Sequence, residues 1–182
     1  MGWPPFRFGG QEYDLCHLHQ RLIVYVKPAK GDLPERAFKV NVRYSLHCFT
    51  HELKADEQLV EDLFIRHDGE CRVFDFDRWN LSLHLPGIIE RLMHEKCFHT
   101  GYRNFLTVKL LNHKSVVKYE IYFEVSRASH KGHLNLFVQS AYVRDNADQM
   151  KRRHNPPIQF AFILYNTLNN VQIKMPKSKE PR

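Results

Sequence analysis

Hydrophobic and polar residues alternate strictly over residues 37–49, AFKVNVRYSLHCF. Side chains of a strand point to opposite faces in turn, so this pattern predicts a half-buried strand. Its buried face would carry Phe38, Val40, Val42, Tyr44 and Leu46. The preceding apolar stretch RLIVYV, residues 21–26, predicts a buried strand, and the loop KPAKGDLPE between the two predicts a hairpin.

Four stretches in the C-terminal half also have the composition of strands. They are residues 104–111 (NFLTVKLL), 116–125 (VVKYEIYFEV), 134–143 (LNLFVQSAYV) and 158–168 (IQFAFILYNTL). β-Branched and aromatic residues are frequent in them, and polar turns or a loop separate them. Together they predict a four-stranded antiparallel meander.

Two stretches between these regions have helical spacing. HELKADEQLVEDLF, residues 51–64, predicts a short helix because Leu59 and Leu63 lie four positions apart. A second helix is predicted to begin near Pro86, whose fixed φ suits a first turn. Its apolar stripe would consist of Ile88, Ile89, Leu92 and Met93. The stretch CRVFDF, residues 71–76, predicts a further strand.

These elements predict an α+β fold. A curved antiparallel β-sheet, made of a hairpin plus a four-stranded meander, would pack against one or two helices. A chain of 182 residues suits one domain with a sizeable core. We expect that domain to span residues 13–172, between an irregular N-terminal arm at residues 1–12 and a basic C-terminal tail at residues 173–182.

The chain is basic, with a formal net charge of +7 at neutral pH. This excess favours a polyanionic partner, with nucleic acid first, RNA before DNA, and an acidic protein such as an antitoxin second. No apolar run is long enough to cross a bilayer, and the first residues lack the apolar core of a secretory signal. We therefore expect a cytoplasmic protein without a membrane partner.

Four cysteines are spread along the chain without a CxxC pair, which favours free thiols. No metal site is expected. Zinc prefers thiolate and imidazole ligands, and an alternative zinc site would use His47, Cys48, Cys71 and Cys97. A cysteine nucleophile beside a histidine, at Cys48 or Cys97, is another alternative.

Asp75 and Asp77 would share one face of a strand, where they could bind a divalent cation. They could equally cap the helix that follows, or pair with Arg72 and Arg78. The sequence contains no GxxxxGK[ST], GxGxxG, GxSxG or HExxH motif. Nucleotide, serine-hydrolase and zincin chemistry therefore lack their motifs, and we expect no cofactor.

An apolar row on the third meander strand ends in polar residues. Every second position reads Leu134, Leu136, Val138, Ser140, Tyr142 and Arg144. Such a row indicates either that the core ends there and an edge facing a substrate begins, or that the three polar residues simply meet solvent at a strand end. Matching core faces across the turn at residues 127–133 places Ser140 near Tyr119, and places Arg127 at the other end of the sheet with His99.

The residue types in these two clusters suit RNA cleavage without a metal. Such a reaction needs a base for the 2′-hydroxyl, an acid for the leaving oxygen and a cation for the phosphorane charge. We therefore hypothesise a toxin-like endoribonuclease. His99 would perform acid or base chemistry and Arg127 would bind the phosphate, while Ser140 and Tyr142 would orient or stabilise the substrate.

The alternative hypothesis is a binding protein without catalysis, for nucleic acid or for an acidic partner. Exposed tyrosines would stack on bases. The phosphates would be bound by Arg144, Lys151, Arg152 and Arg153. Turnover would distinguish this hypothesis from the endoribonuclease.

Several motifs resemble those of a known family. They are SLHCFT, CRVFDFDRW, CFHTG, FEVSR, LFVQSAYVRD and FILYNTLNN. Over the region from about Tyr13 to Asn170, the chain resembles small bacterial proteins that are often labelled stationary-phase growth adaptation proteins. The resemblance implies a bacterial cytoplasmic protein, linked to stress or to mobile elements, and it implies no catalytic residues.

Overall fold

The computed structural model describes residues 2–54, 60–100, 104–113, 115–143 and 156–174. Their strands are β1 (Phe6–Phe8), β2 (Gln11–Tyr13), β3 (Arg21–Lys27), β4 (Arg36–Tyr44), β5 (Thr50–His51), β6 (Phe64–His67), β7 (Glu70–Phe74), β8 (Lys96–His99), β9 (Phe105–His113), β10 (Ser115–Arg127), β11 (His133–Val143) and β12 (Ile158–Gln159). Their α-helices are α1 (Phe76–Ser82), α2 (Leu85–Glu90) and α3 (Phe160–Leu168). This mixture confirms the predicted α+β class. Across the described residues, no helix has the length and apolar character that crossing a membrane requires.

Seven strands form the main sheet, in the order β12, β8, β9, β10, β11, β4 and β3. Neighbouring strands are antiparallel except β11 and β4, which run parallel and pair His133 with Lys39 and Val138 with Tyr44. Parallel neighbours need a crossover connection. Here the chain leaves β4, forms a separate sheet of β5, β7 and β6 and then α1 and α2, and returns through β8 to β10.

The predicted β3–β4 hairpin is confirmed. Alternation in β4 identifies the core face correctly, since Val40 and Val42 are fully buried. The apolar stretch of β3 predicts a buried strand, but β3 lies at the edge of the sheet and buries only one face. Its other face leaves Leu22, Val24 and Val26 exposed by 54%, 52% and 47%.

Three of the four predicted meander strands form, as β9, β10 and β11. The fourth prediction is wrong, because residues 160–168 form α3 and only Ile158–Gln159 pair as a strand, with β8. Phe160, Ile163 and Leu164 have helical spacing, and all three are fully buried. Packing of this apolar face on the sheet stabilises a helix rather than another strand.

The helix predicted near Pro86 forms as α2, with Pro86 in its first turn. The hydroxyl of Tyr25 on β3 donates to the carbonyl oxygen of Ile89 at 2.7 Å and ties α2 to the sheet. Of the helix predicted over residues 51–64, the described part contains a 3-10 turn at Glu61–Leu63, and residues 55–59 lie outside the described residues.

The first residues form a hairpin of β1 and β2 where an irregular arm is expected. Phe6 stacks on Phe74 of β7 with ring centroids 4.0 Å apart. The indole of Trp3 donates to the carbonyl oxygen of Tyr44 at 3.1 Å. These contacts attach the N-terminal hairpin both to the three-stranded sheet and to the end of β4.

Candidate functional site

A β-bulge interrupts the pairing of β10 with β11. Phe123 lies opposite Val138, but the preceding residue Tyr122 lies opposite Ser140. Gln139 is therefore an extra residue in β11. A bulge of this kind places two residues of one strand against one residue of the other and shifts the alternation of side chains.

The shift changes the face on which the end of β11 presents its side chains. Val138 and Ala141 are both fully buried although they lie three positions apart. Ser140 and Tyr142 lie on the face of the main sheet that points away from α2 and α3. The prediction that the apolar row continues into Ser140 and Tyr142 is therefore wrong, because the row continues through Ala141.

We call this second face of the main sheet the outer face. Its described members include Lys39, Asn41, Arg43, Glu120, Tyr122, Asn135, Phe137, Gln139, Ser140 and Tyr142.

His99 lies on the core side of the sheet. It pairs with Phe105, and the two rings make an edge contact with centroids 5.4 Å apart. Burial lowers the pKa of the His99 imidazole. This ring therefore faces away from Ser140 and Tyr142, with the sheet between them.

Arg127 is the last residue of β10 and is exposed beside the turn to β11. On β10, Arg127 lies four residues, or about 13 Å, from Phe123. Phe123 pairs with Phe105 of β9, which in turn pairs with His99 of β8. The four predicted catalytic residues therefore divide between two faces. Ser140 and Tyr142 share the outer face, whereas strand alternation places Arg127 and His99 on the other face, with Arg127 at the end of its strand.

The predicted phosphate-binding residues Arg144, Lys151, Arg152 and Arg153 lie outside the described residues. The cations that the structure places on or beside the outer face include Lys39 and Arg43 of β4, Lys118 of β10 and Arg78 of α1.

Aromatic, amide and cationic side chains meet between β4 and β11. The guanidinium of Arg43 lies 5.8 Å from the centroid of the Phe137 ring. Two residues earlier on each strand, the amide of Asn41 donates to Asn135 Oδ1 at 3.4 Å. Lys39 lies two residues before Asn41 on the same face of β4. Rings of this kind stack on bases, amides bind base edges and cations neutralise phosphates.

Two tyrosines extend the outer face towards α1. The rings of Tyr122 and Tyr142 are stacked, with centroids 5.6 Å apart. The Tyr122 hydroxyl donates to Glu120 Oε2 at 2.8 Å, and burial together with this hydrogen bond raises the pKa of Tyr122. The guanidinium of Arg78 in α1 lies 5.2 Å from the centroid of the Tyr142 ring. The outer face thus carries a second aromatic region beside a second cation.

The extra residue of the bulge links three strands. Gln139 Nε2 donates to Glu124 Oε2 at 3.2 Å, and Gln139 Oε1 accepts a hydrogen bond from Asn104 Nδ2 at 2.7 Å. These bonds join β11 to β10 and to the start of β9. They also give the Glu124 carboxylate a hydrogen-bond partner on the outer face.

The residues of the alternative zinc site do not meet. Cys48 and Cys97 are fully buried, and burial raises the pKa of each thiol to about 12, which keeps both protonated. His47 Nε2 lies 2.6 Å from Glu70 Oε2, and Cys71 is exposed. Among the residues that the structure describes, no three His, Cys, Asp or Glu side chains could hold a metal ion together. A protonated buried thiol is also a poor nucleophile.

Asp75 caps α1. Its side-chain Oδ1 accepts a hydrogen bond from the Arg78 backbone N–H at 3.0 Å, and its Oδ2 lies 3.2 Å from His51 Nδ1. Of the three roles considered for Asp75 and Asp77, the described contacts match the cap for Asp75 and its ion pair with Arg78.

Sequence reasoning missed Arg43, Phe137 and Arg78 as residues on or beside this candidate surface. The alternating pattern of β4 contains the signal for Arg43, since the polar positions Lys39, Asn41 and Arg43 fall on one face and two of them are cationic. No local pattern identifies Arg78. Its contact with Tyr142 depends on how α1 packs against β11.

Comparison with known proteins yields a family match. The sequence matches the model of the YjaZ family over residues 5–168. No curated protein and no solved structure matches it. The match supports the family resemblance seen in the motifs, whereas the stationary-phase label stays a prediction. Because the matched region covers most of the 182 residues, the chain belongs to the YjaZ family.

Proposed function

We propose that the protein binds single-stranded nucleic acid, RNA in preference to DNA, on the outer face. The observation that carries this proposal is the Arg43 guanidinium over the Phe137 ring, beside the bonded amides of Asn41 and Asn135. The ring offers a stacking surface for a base, and the cation neutralises a neighbouring phosphate. The net charge of +7 supports an anionic ligand.

Two features support RNA and a binding site for several nucleotides. Amide side chains both donate and accept hydrogen bonds, which a 2′-hydroxyl can use in both directions. Tyr142 and Tyr122 form a second aromatic region on the same face as Phe137, so more than one base can stack.

RNA cleavage by a toxin-like endoribonuclease stays a prediction from residue types. His99 lies on the core side and Arg127 at one end of the sheet, so these two do not share a site with Ser140 and Tyr142. We therefore favour binding without turnover. The proposal keeps the bacterial cytoplasm as the location and an acidic protein or antitoxin as a second partner, both inferred from the sequence.

Fluorescence anisotropy with a labelled single-stranded RNA tests the proposal. Phe137→Ala should weaken binding by roughly 5- to 150-fold, because stacking of one base contributes about 1–3 kcal/mol. Arg43→Ala should weaken binding and reduce the slope of log K against log salt concentration by about 0.7. DNA of the same sequence should bind more weakly than RNA.

Arg36→Ala is the matched control. Arg36 also lies over an aromatic ring, 4.5 Å from the centroid of Tyr165, but on the core side of the sheet. This variant should bind RNA almost as tightly as the wild type. A folded Phe137→Ala variant with wild-type affinity would place the site elsewhere.

Gel electrophoresis of the same mixtures, with and without EDTA, separates binding from cleavage. Intact RNA supports binding without turnover. Cleavage that survives EDTA and is lost in Arg127→Ala would instead support the endoribonuclease hypothesis.

A further inference from the structure

Two arginines bind the same threonine where β5 approaches α1. Arg72 Nε donates to Thr50 Oγ1 at 2.9 Å, and Arg78 Nη1 donates to the carbonyl oxygen of Thr50 at 2.8 Å. Thr50 is fully buried, and its hydroxyl donates to the carbonyl oxygen of Leu46 at 2.8 Å. One buried residue therefore fixes two guanidinium groups close to each other.

The two guanidinium groups have one carboxylate within ion-pair distance among the described residues. Asp75 Oδ2 lies 3.5 Å from Arg78 Nε, whereas Arg72 forms no ion pair with any residue that the structure describes. Burial and then the neighbouring charge of Arg78 lower the pKa of Arg72, and the carboxylates of Glu70 and Glu52 act in the opposite direction. The Arg72 guanidinium is therefore half-buried without a carboxylate in direct contact, which suits an anionic ligand.

The guanidinium groups of Arg72 and Arg78 also carry N–H groups that donate to none of the described residues. A guanidinium carries five N–H groups. Within the described part of the chain, Arg72 donates only from Nε, and Arg78 donates from Nη1 and approaches Asp75 with Nε. Both side chains are half-buried. The Nη groups of Arg72 and Nη2 of Arg78 can therefore bind an oxyanion, and phosphate accepts several such bonds at once.

Arg78 connects this pair to the outer face. Its guanidinium lies over Tyr142, which stacks on Tyr122. β4 ends at Tyr44, and beyond that point the 3-10 turn Leu46–Cys48 and α1 pack beside β11. The open part of the face therefore ends beside the two arginines, and a nucleic-acid strand stacked on the tyrosines would end there too.

We propose that Arg72 and Arg78 bind a terminal phosphate of the RNA strand that lies on the outer face. This inference rests on the proposed function. A terminal phosphate carries about −1.5 to −2 charges at neutral pH, against one for an internal phosphodiester, and its three terminal oxygens suit two guanidinium groups. Arginines that only fix the backbone around Thr50 would give no preference for a phosphorylated end.

Oligonucleotides that differ only in their terminal groups test this site. Fluorescence anisotropy compares one RNA sequence with a 5′-phosphate, with a 3′-phosphate or with hydroxyl groups at both ends. The wild type should bind one phosphorylated form about tenfold or more tightly than the hydroxyl form, as expected for charge-assisted hydrogen bonds. Comparison of the two phosphorylated forms assigns the direction of the strand.

Three variants at arginines of the three-stranded sheet sharpen the test. Arg72→Gln should abolish the preference and leave the affinity for the hydroxyl form unchanged. Arg72→Lys keeps the charge without the planar fork, so it should keep only part of the preference. Arg66→Gln is the matched control, because Arg66 is exposed on the neighbouring strand β6, and it should keep the full preference.

Equal binding of the three RNA forms by the wild type would overturn the proposal, and so would an unchanged preference in folded Arg72→Gln. If Arg72→Gln does not fold, the preference of Arg72→Lys for the phosphorylated RNA is measured instead, and an unchanged preference would overturn the proposal. If no RNA binds, the proposed function fails, and calorimetric titration with inorganic pyrophosphate then tests the arginine pair alone. Saturable binding that weakens in Arg72→Lys retains the anion site, and absence of binding overturns it.

Discussion

Tyr142 stacks on Tyr122 across the β10–β11 pair, with ring centroids 5.6 Å apart and 13° between the ring planes. The contact depends on Gln139, the extra residue of the bulge. In a regular strand Tyr142 would face the core, because a shift of one residue moves every following side chain to the other face. The bulge therefore supplies the outer face with its second aromatic region.

Deletion of Gln139 should keep every following side chain on its present face, because it removes the extra residue and leaves the pairs on either side of the bulge in a regular ladder. It should cost about 1–3 kcal/mol, since the hydrogen bonds of the Gln139 amide are lost. Insertion of one alanine after Ser140 should instead turn Tyr142 towards the core and cost more than about 4 kcal/mol. Urea unfolding followed by circular dichroism measures both. Similar stabilities for the two variants would show that the bulge does not set the register.

Two buried tyrosines should respond differently to the loss of their hydroxyl groups. Tyr25→Phe leaves the buried carbonyl of Ile89 without its donor and should cost about 1–3 kcal/mol. The hydroxyl of Tyr119 is buried and has no hydrogen-bond partner among the described residues. Tyr119→Phe should therefore leave the free energy of unfolding unchanged or raise it. Denaturant midpoints compare the pair, and a greater loss for Tyr119→Phe would contradict these contacts.

His17 should make the protein less stable in mild acid. Burial lowers the pKa of this imidazole below its ordinary value of 6.5, and Nε2 lies 2.7 Å from Ser82 Oγ. As pH falls through 6.5, the unfolded chain takes up a proton that the folded protein does not, so the free energy of unfolding decreases. The free energy of unfolding stops decreasing once the pH lies below the pKa that His17 has in the folded protein.

Urea midpoints between about pH 8 and pH 5 measure this dependence. His17→Gln should remove the part due to His17. His84→Gln, at an exposed position, should keep the wild-type dependence. Identical pH profiles for the wild type and His17→Gln would contradict the prediction.

Asp75 should stabilise α1 mainly as its cap. Asp75→Ala should cost about 1–2 kcal/mol, whereas Asp75→Asn should cost less because an amide oxygen can still accept from the Arg78 N–H. Thermal unfolding of the two variants measures the difference. A rise in the wild-type midpoint on addition of Mg²⁺, absent from Asp75→Asn, would instead support the divalent-cation alternative.

The sequence predicts the elements whose hydrophobic period is unambiguous. Strict alternation identifies β4 and its core face, and Pro86 marks the start of α2. The apolar stretch that forms α3 fits both the alternation of a strand and the spacing of a helix. Phe160 and Phe162 alternate as in a strand, while Phe160, Ile163 and Leu164 have helical spacing. Burial of the second set against the sheet decides the outcome, and that contact is not local in sequence.

The site was harder to predict than the fold for the same reason. In the sequence, the only sign of the bulge is that two core residues, Val138 and Ala141, lie three positions apart. A regular strand with Ser140 facing the core fits the residue types equally well. The bulge depends on the partner residues of β10. The approach of Arg78 to Tyr142 depends on a helix that lies more than sixty residues earlier in the chain.

The parallel pairing of β4 with β11 also affects the chain while it is being translated. Asn41 and Asn135, which bond across this pair, are 94 residues apart. At roughly 5–20 residues per second, the ribosome needs about 5–20 s to synthesise that interval. Until then β4 on the nascent chain has β3 as its only sheet neighbour, and Val40 and Val42 lack the core that later covers them. The β3–β4 hairpin therefore emerges with an uncovered apolar face, which is the kind of surface that chaperones bind.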